Sequence, residues 1–183
     1  MDGQTGEGFI YGAAATPERL ATLSFSHPLY EVGQWLVVTQ QRQFSFNAWD
    51  DLKGKVLSIQ TGAHFMGEFE TLRGTLFVAQ ENAESITSRL KMLALNRVDA
   101  LVLDSHRTAT QLEARLNCLY GELGKWVVLA KPVSTQPALL AIASALPMRK
   151  YLDDINSAID RLNLRGGVRK VVELQQAIAP ACS

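Results

Sequence analysis

The sequence predicts an α/β fold, and two observations carry that prediction. From Gln34 onward, short runs rich in Val, Ile and Leu alternate with segments of helical periodicity. Strand-sized runs separated by helix-sized segments build a mostly parallel sheet covered on both faces. The composition agrees: 47% of the 183 residues are hydrophobic and 20% are charged, so the chain buries a sizeable core. That balance excludes intrinsic disorder and a disulfide-stabilised miniprotein.

Taken in order, Phe9-Ile10-Tyr11 lies between glycines and reads as the end of a strand. Thr16 suits an N-cap, Pro17 the first helical position and Glu18 the acidic first turn, so a short helix starts here. Phe25-Ser26-His27-Pro28 ends it, because the residue before a proline is pushed out of the helical region. Gln34 to Thr39 is a strand, and so is Lys55 to Gln60. Thr61-Gly62 then turns the chain into a helix from Phe65 to Leu72, followed by the strand Leu76-Phe77-Val78. Ala83 to Asn96 is a helix, with Ile86, Leu90, Leu93 and Ala94 at helical spacing. Val98 to Leu103 is a buried strand, His106 to Leu116 a helix, and Trp126 to Leu129 another strand. A last strand is expected at Ala138 to Ala145. Arg149 to Leu164 is an amphipathic helix with Tyr151, Leu152, Ile155, Ala158, Ile159 and Leu162 on one side. Gly166-Gly167 caps it, and Val168 to Ile178 is expected to form a final helix.

Charge and termini narrow the partners. Eighteen Lys+Arg against eighteen Asp+Glu give a formal net charge of +0, which offers no global field to hold nucleic acid or an anionic membrane. No apolar run reaches the roughly 18 residues of a bilayer-spanning helix. The polar, Gly-rich opening Met1 to Gly8 lacks the basic and apolar regions of a secretory signal. Cys118 and Cys182 fit no metal spacing; one bridge between them is allowed, and two thiols that never meet is the expected reading.

The motifs of catalysis are absent: there is no Gly-rich phosphate loop, no Gly-x-Ser-x-Gly and no His-Glu-x-x-His. His27, His64 and His106 are scattered without metal-ligand spacing, and Asp50-Asp51 and Asp153-Asp154 read as caps or solvated faces. No catalytic residue, metal or cofactor is therefore expected. Three polar features stand instead where α/β sheets bind ligands, past the C-terminal ends of strands. These are Arg19 in the first helix, Gly62-Ala63-His64 after Gln60-Thr61, and Asp104 at the end of Val98 to Leu103. An arginine grips a carboxylate bidentately, loop and helix amides supplement it, and an aspartate accepts an ammonium. Together they would describe a site for an α-amino acid. The plainer readings stay open beside it: an exposed first-turn arginine, and an aspartate that merely caps a helix.

The order of segments adds a resemblance. Ala14-Ala15-Thr16-Pro17-Glu18-Arg19, Phe25-Ser26-His27-Pro28-Leu29-Tyr30 and Leu36-Val37-Val38 run in sequence. Asp51-Leu52-Lys53-Gly54-Lys55-Val56, Gln60-Thr61-Gly62 and Arg97-Val98-Asp99-Ala100 to Asp104 follow them. Leu146-Pro147 through Gly166-Gly167 closes the series. This collinear set resembles the periplasmic solute-binding proteins of polar amino-acid ABC transporters, the family 3 extracellular solute-binding proteins.

The resemblance implies a periplasmic-binding-protein-like two-lobe fold of type II, with mixed sheets flanked by helices. Residues 35–131 would form lobe 2, and 1–34 with 132–183 a partial lobe 1, joined by hinge strands at Gln34 to Thr39 and Trp126 to Pro132. By matching position Arg19 would hold the ligand carboxylate, Asp104 its ammonium, and Gly62, Ala63 and His64 the loop beside the carboxylate. Closing the lobes would desolvate and so strengthen these ion pairs. The family often carries hydroxyl residues where this chain has Ala14 and Ala63, which weakens the match to an ordinary polar amino-acid ligand. The opening strands and helices of the family's first lobe have no counterpart here, so lobe 1 is expected to be incomplete at its start. The implied function is non-catalytic binding of an amino acid or related carboxylate in the periplasm, in partnership with a transporter permease. A homodimer is expected to cover the exposed sheet edges. The alternatives are the ligand-sensing domain of a signalling receptor and a prearomatic-acid dehydratase on the same fold.

Overall fold

Two ten-residue strands, Tyr30–Thr39 and Ser134–Ala143, each pass from one compact unit of the chain into another. The computed structural model describes residues 8–174 apart from 14, 64, 66, 83, 84, 168, 169, 172 and 173. Unit 1 comprises the described residues up to Val32 and from Gln136 onward; unit 2 runs from Gly33 to Thr135.

In unit 1, β1 (Phe9–Ala13) is followed by the single-turn α1 (Pro17–Leu20) and by β2 (Leu23–Phe25). Thr16 caps α1 by accepting the Arg19 N–H on its hydroxyl, and Pro17 takes the first helical position as the sequence predicts. The unit 1 part of β8 (Ser134–Ala143) pairs antiparallel with both β1 and β2, Ile10 opposite Ala141 and Ser24 opposite Ile142. The three-residue β2 was not expected from sequence; its pairing lies more than a hundred residues away, and nothing local specifies it. A 3-10 turn at Pro147–Tyr151 leads into α5 (Leu152–Leu164), so the helix begins later than its Arg149 start predicts. Polar ties hold α5 against the 26–28 loop. The His27 ring nitrogen lies 2.9 Å from Asp160, Asn156 accepts the His27 N–H at 2.8 Å, and Asn163 donates to the Pro28 carbonyl at 2.9 Å.

Unit 2 holds β3 (Tyr30–Thr39) from Gly33 on, then β4 (Val56–Gln60), α2 (Glu68–Leu72), β5 (Val78–Asn82) and α3 (Ile86–Ala94). β6 (Ala100–Ser105), α4 (Ala109–Tyr120) and β7 (Trp126–Val128) complete it. β4 runs parallel to β5 on one side and β6 on the other, while β3 lies antiparallel to both β6 and β7. The sheet is therefore mixed rather than mostly parallel: a buried apolar run reads the same in either direction, so periodicity alone cannot orient β3. Strand alternation fills both faces. Leu36, Val38, Leu57, Ile59 and Val102 meet an aromatic cluster of Phe46, Phe65, Phe69 and Phe77. Val37, Leu101 and Val128 meet Leu90 and Leu93 of α3 and Leu112 and Leu116 of α4.

Several boundaries move for local reasons. α4 starts at Ala109 because Thr108 and Gln111 form a reciprocal capping box. β7 lies inside unit 2, pinned where Asn117 bonds both the N–H and the carbonyl of Trp126 at 2.9 and 2.7 Å. The second passage between units lies in β8. Most of the helix expected over 168–178 lies outside the described residues. Cys118 is disulfide-bonded, which corrects the expectation of two separate thiols.

Candidate ligand-binding site

In unit 2 the parallel strands β6, β4 and β5 end side by side, and their C-terminal ends carry Asp104, Gln60-Thr61-Gly62 and Asn82. This is the edge of an α/β sheet at which ligands are held, because loops diverge there and leave polar groups uncovered. After Gln60 the chain turns tightly, with the Ala63 N–H donating to the Gln60 carbonyl at 2.9 Å. Gly62 sits at φ 76°, a left-handed conformation that a Cβ resists. Thr61 fastens this turn to β5 by donating its hydroxyl to the Asn82 carbonyl at 2.8 Å. The Asn82 side-chain oxygen is buried and, among the described residues, lacks a hydrogen-bond partner. Such an acceptor is costly to leave unmade and is a group that a bound donor would satisfy.

Asp104 is the charged member of this edge. The Gln34 amide donates to its Oδ1 at 3.1 Å, from directly across the β3–β6 ladder. Gln34 is completely buried, and its own oxygen accepts the Ser134 hydroxyl at 2.7 Å. Among the described residues Oδ2 of Asp104 carries no hydrogen bond. Asp104 keeps contact with solvent, yet the protein crowding its carboxyl pushes it above the ordinary carboxylate range. The Gln34 bond and the Arg89 charge pull the other way. The plain capping role is excluded, since Thr108 occupies the N-cap of α4.

Arg89 projects from α3 into the same unit and is 2% exposed. It donates to the Ser58 hydroxyl at 3.1 Å and to the Ser58 and Val102 carbonyls at 2.7 Å each, bracing β4 against β6. Among the described residues no acid pairs with it directly; burial lowers its pKa and the more distant Asp104 charge raises it. Gln34, Asn82 and Arg89 were not singled out from sequence. Gln34 carried a signal all the same: a polar residue in a β-rich run, on the same strand parity as buried Leu36 and Val38.

The remaining predicted residues divide by unit. Gly62 and Ala63 share the strand-end edge with Asp104. They do not open a helix, because α2 begins only at Glu68, so the expected helix-terminus amides are replaced by loop amides. Arg19 lies in α1 of unit 1, half-buried, just past the end of β1. Ala14 and His64 lie outside the described residues.

No protein-family model and no curated protein sequence matches the chain. Solved structures do. ArgBP from T. maritima, in a mutant form, is similar with a TM-score of 0.62 and 25% identity, over 88% of this chain and 65% of its own. AbpA is an amino acid ABC transporter substrate-binding protein from Streptococcus pneumoniae, bound to L-arginine. It matches with a TM-score of 0.68 and 14% identity, over 94% of this chain and 68% of its own. The GluR0 ligand-binding core, in complex with L-glutamate, matches with a TM-score of 0.67 and 18% identity, over 88% and 68%. The chain thus spans about two thirds of the length of these proteins.

Proposed function

We propose that this chain binds an α-amino acid or a related small carboxylate without chemically changing it, proceeding from its periplasmic-binding-protein-like fold. That fold is the one of the amino acid ABC transporter substrate-binding proteins. The observation that carries the reading is Asp104: a carboxylate at the strand-end edge, held by one oxygen and, among the described residues, with no hydrogen bond on the other. An ammonium is the partner that such a group accepts. Arg19 is the proposed carboxylate partner and the loop at Gly62, Ala63 and His64 its support, with no hydroxyl supplied at Ala14 or Ala63.

In this reading unit 2 is the second lobe, unit 1 is part of the first, and β3 and β8 are the hinge strands. The protein would work in the periplasm with a transporter permease. The Cys118 disulfide supports that compartment, since such bonds persist where the surroundings are oxidising. A second copy covering the edge of β1 is the proposed oligomer, because Phe9, Ile10 and Tyr11 are exposed there at 44%, 42% and 61%. The likeness to the GluR0 core favours one second reading, a ligand-sensing domain. Genes for a permease beside this one support transport; a fused signalling domain supports sensing.

Calorimetric titration with L-arginine, L-glutamine and L-glutamate tests the proposal. One of them is expected to bind the wild type, and Asp104→Asn is expected to weaken that binding by about 1.5–3 kcal/mol, the usual worth of a hydrogen bond to a charged group. Arg19→Ala is expected to weaken it by at least as much. Equal affinities in all three proteins would remove the assigned site.

A further inference from the structure

The hydrogen bonds around Gln34 have a direction, and that direction assigns the residue a role resting on the amino-acid reading above. The Asp104 carboxylate can only accept, so the Gln34 amide nitrogen faces it and donates to Oδ1 at 3.1 Å. The amide oxygen is thereby turned to Ser134, whose hydroxyl donates to it at 2.7 Å. A flipped amide would set its carbonyl oxygen against the carboxylate, two acceptors with no proton between them. Burial makes that alternative expensive, because no water reaches Gln34 to repair it.

We propose that Gln34 is the positioning residue of the ligand site: its amide, locked by Ser134, anchors Oδ1 of Asp104 and leaves Oδ2 for the ammonium of an amino acid. The backbone reinforces the same junction. Gln34 faces Asp104 across the β3–β6 ladder, and its carbonyl accepts the Val133 N–H at 2.8 Å. Trp35 closes the neighbouring position by laying its indole over Gly33, where a Cβ would come within 2.6 Å of its ring nitrogen, and by donating to the Ser105 carbonyl at 3.3 Å. Gln34 and Ser134 stand on β3 and β8, so both strands by which the chain leaves unit 2 carry a member of the relay. The charged group bearing on Asp104 from another element is Arg89 of α3, itself bonded to the Ser58 hydroxyl of β4.

The decisive experiment is a carbon-detected NMR titration of the Asp104 carboxyl in the ligand-free protein, for wild type, Gln34→Met and Ser134→Ala. Gln34→Met keeps the side chain's length but removes the donor, so the titration midpoint is expected to move upward. Ser134→Ala frees the amide and is expected to move it by less, in the same direction. Amino-acid affinity is expected to fall by about tenfold in Gln34→Met, the loss of one bond that holds a charged group. A residue that merely fills the core would lower stability and leave the midpoint alone. Unchanged midpoints in both variants overturn the proposal, and Ser134→Ala alone decides it where Gln34→Met does not fold. If the wild type binds none of the amino acids, the functional reading fails, while the ligand-free titration still decides the Gln34–Asp104 bond.

Discussion

Unit 2 and unit 1 are built to different standards of closure. Unit 2 buries both faces of its sheet, one under Phe65, Phe69 and Phe77 and the other under α3 and α4. The corresponding cluster in unit 1 contains Ala13, Leu23 and Ala141. The apolar residues tell the same story from outside. Phe9, Ile10, Tyr11, Leu20 and Leu164 of unit 1 are exposed, Leu164 at 89%, while unit 2 exposes Val78, Leu95 and Leu119. The difference teaches that the strand-end edge with Asp104 rests on a sheet buried on both faces. Unit 1 presents apolar surface of the kind that other protein covers.

The sharpest way to break the comparison is a large-to-small substitution in each unit. Phe69→Ala removes a fully buried ring, whose centroid stands 4.0 Å from that of Phe65. It is expected to cost about 3–5 kcal/mol in urea unfolding. Leu23→Ala, at the centre of the smaller cluster, is expected to cost about 2 kcal/mol, the low end for such truncations, because its surroundings are small and can collapse. Equal losses would erase the distinction.

A second expectation concerns alkaline pH and unit 1 alone. Burial, followed by its hydrogen bond with the Tyr11 hydroxyl, pushes Tyr30 from 10.0 up to about 12. A raised folded value favours the neutral phenol. Its contribution is therefore complete below pH 10 and is lost as pH rises toward 12. Circular dichroism between those limits should show a destabilisation that Tyr30→Phe abolishes. Persistence of the transition in that variant would locate it elsewhere.

Asp104 sharpens the comparison inside unit 2. Its carboxyl is held above the ordinary range, chiefly by desolvation, so ionising it weighs against folding once pH passes that raised value. Asp104→Asn should then raise the melting temperature of the ligand-free protein at pH 7, and the gain should vanish in acid where the wild-type carboxyl is protonated. A residue kept at a cost in stability is what the proposed binding role would require. The smallest effect is expected for Asp160→Asn. Its partner His27 and Asp160 itself are each 53% exposed, so the change should stay within about 1 kcal/mol in thermal unfolding.

Much of the element order was legible in the chain. The Thr16-Pro17 start of α1, the strand at Val56–Gln60 and the apolar stripe of α3 all rest on local chemistry and periodicity. The direction of β3 was not legible, nor was β2, because strand pairing is settled by residues distant in sequence. Of the candidate site, the aspartate and the glycine turn were readable as types suited to an ammonium and a left-handed bend. The loop before α2 was not: the helix was expected from Phe65, but it begins at Glu68 and Phe65 stacks against Phe69.

By itself the sequence determined the α/β alternation, the capped start of α1 and the positions of polar residues just past strand ends. These depend on interactions within a few residues or on the repeat of apolar side chains, and both are written along the chain. Only the tertiary structure decided what stands behind those residues. Gln34, Asp104 and Ser134 are 70 and 100 residues apart in sequence where they bond. No local pattern encodes that contact. It exists because β3 enters the sheet antiparallel to β6, which buries one amide and leaves it a single way to satisfy both its ends.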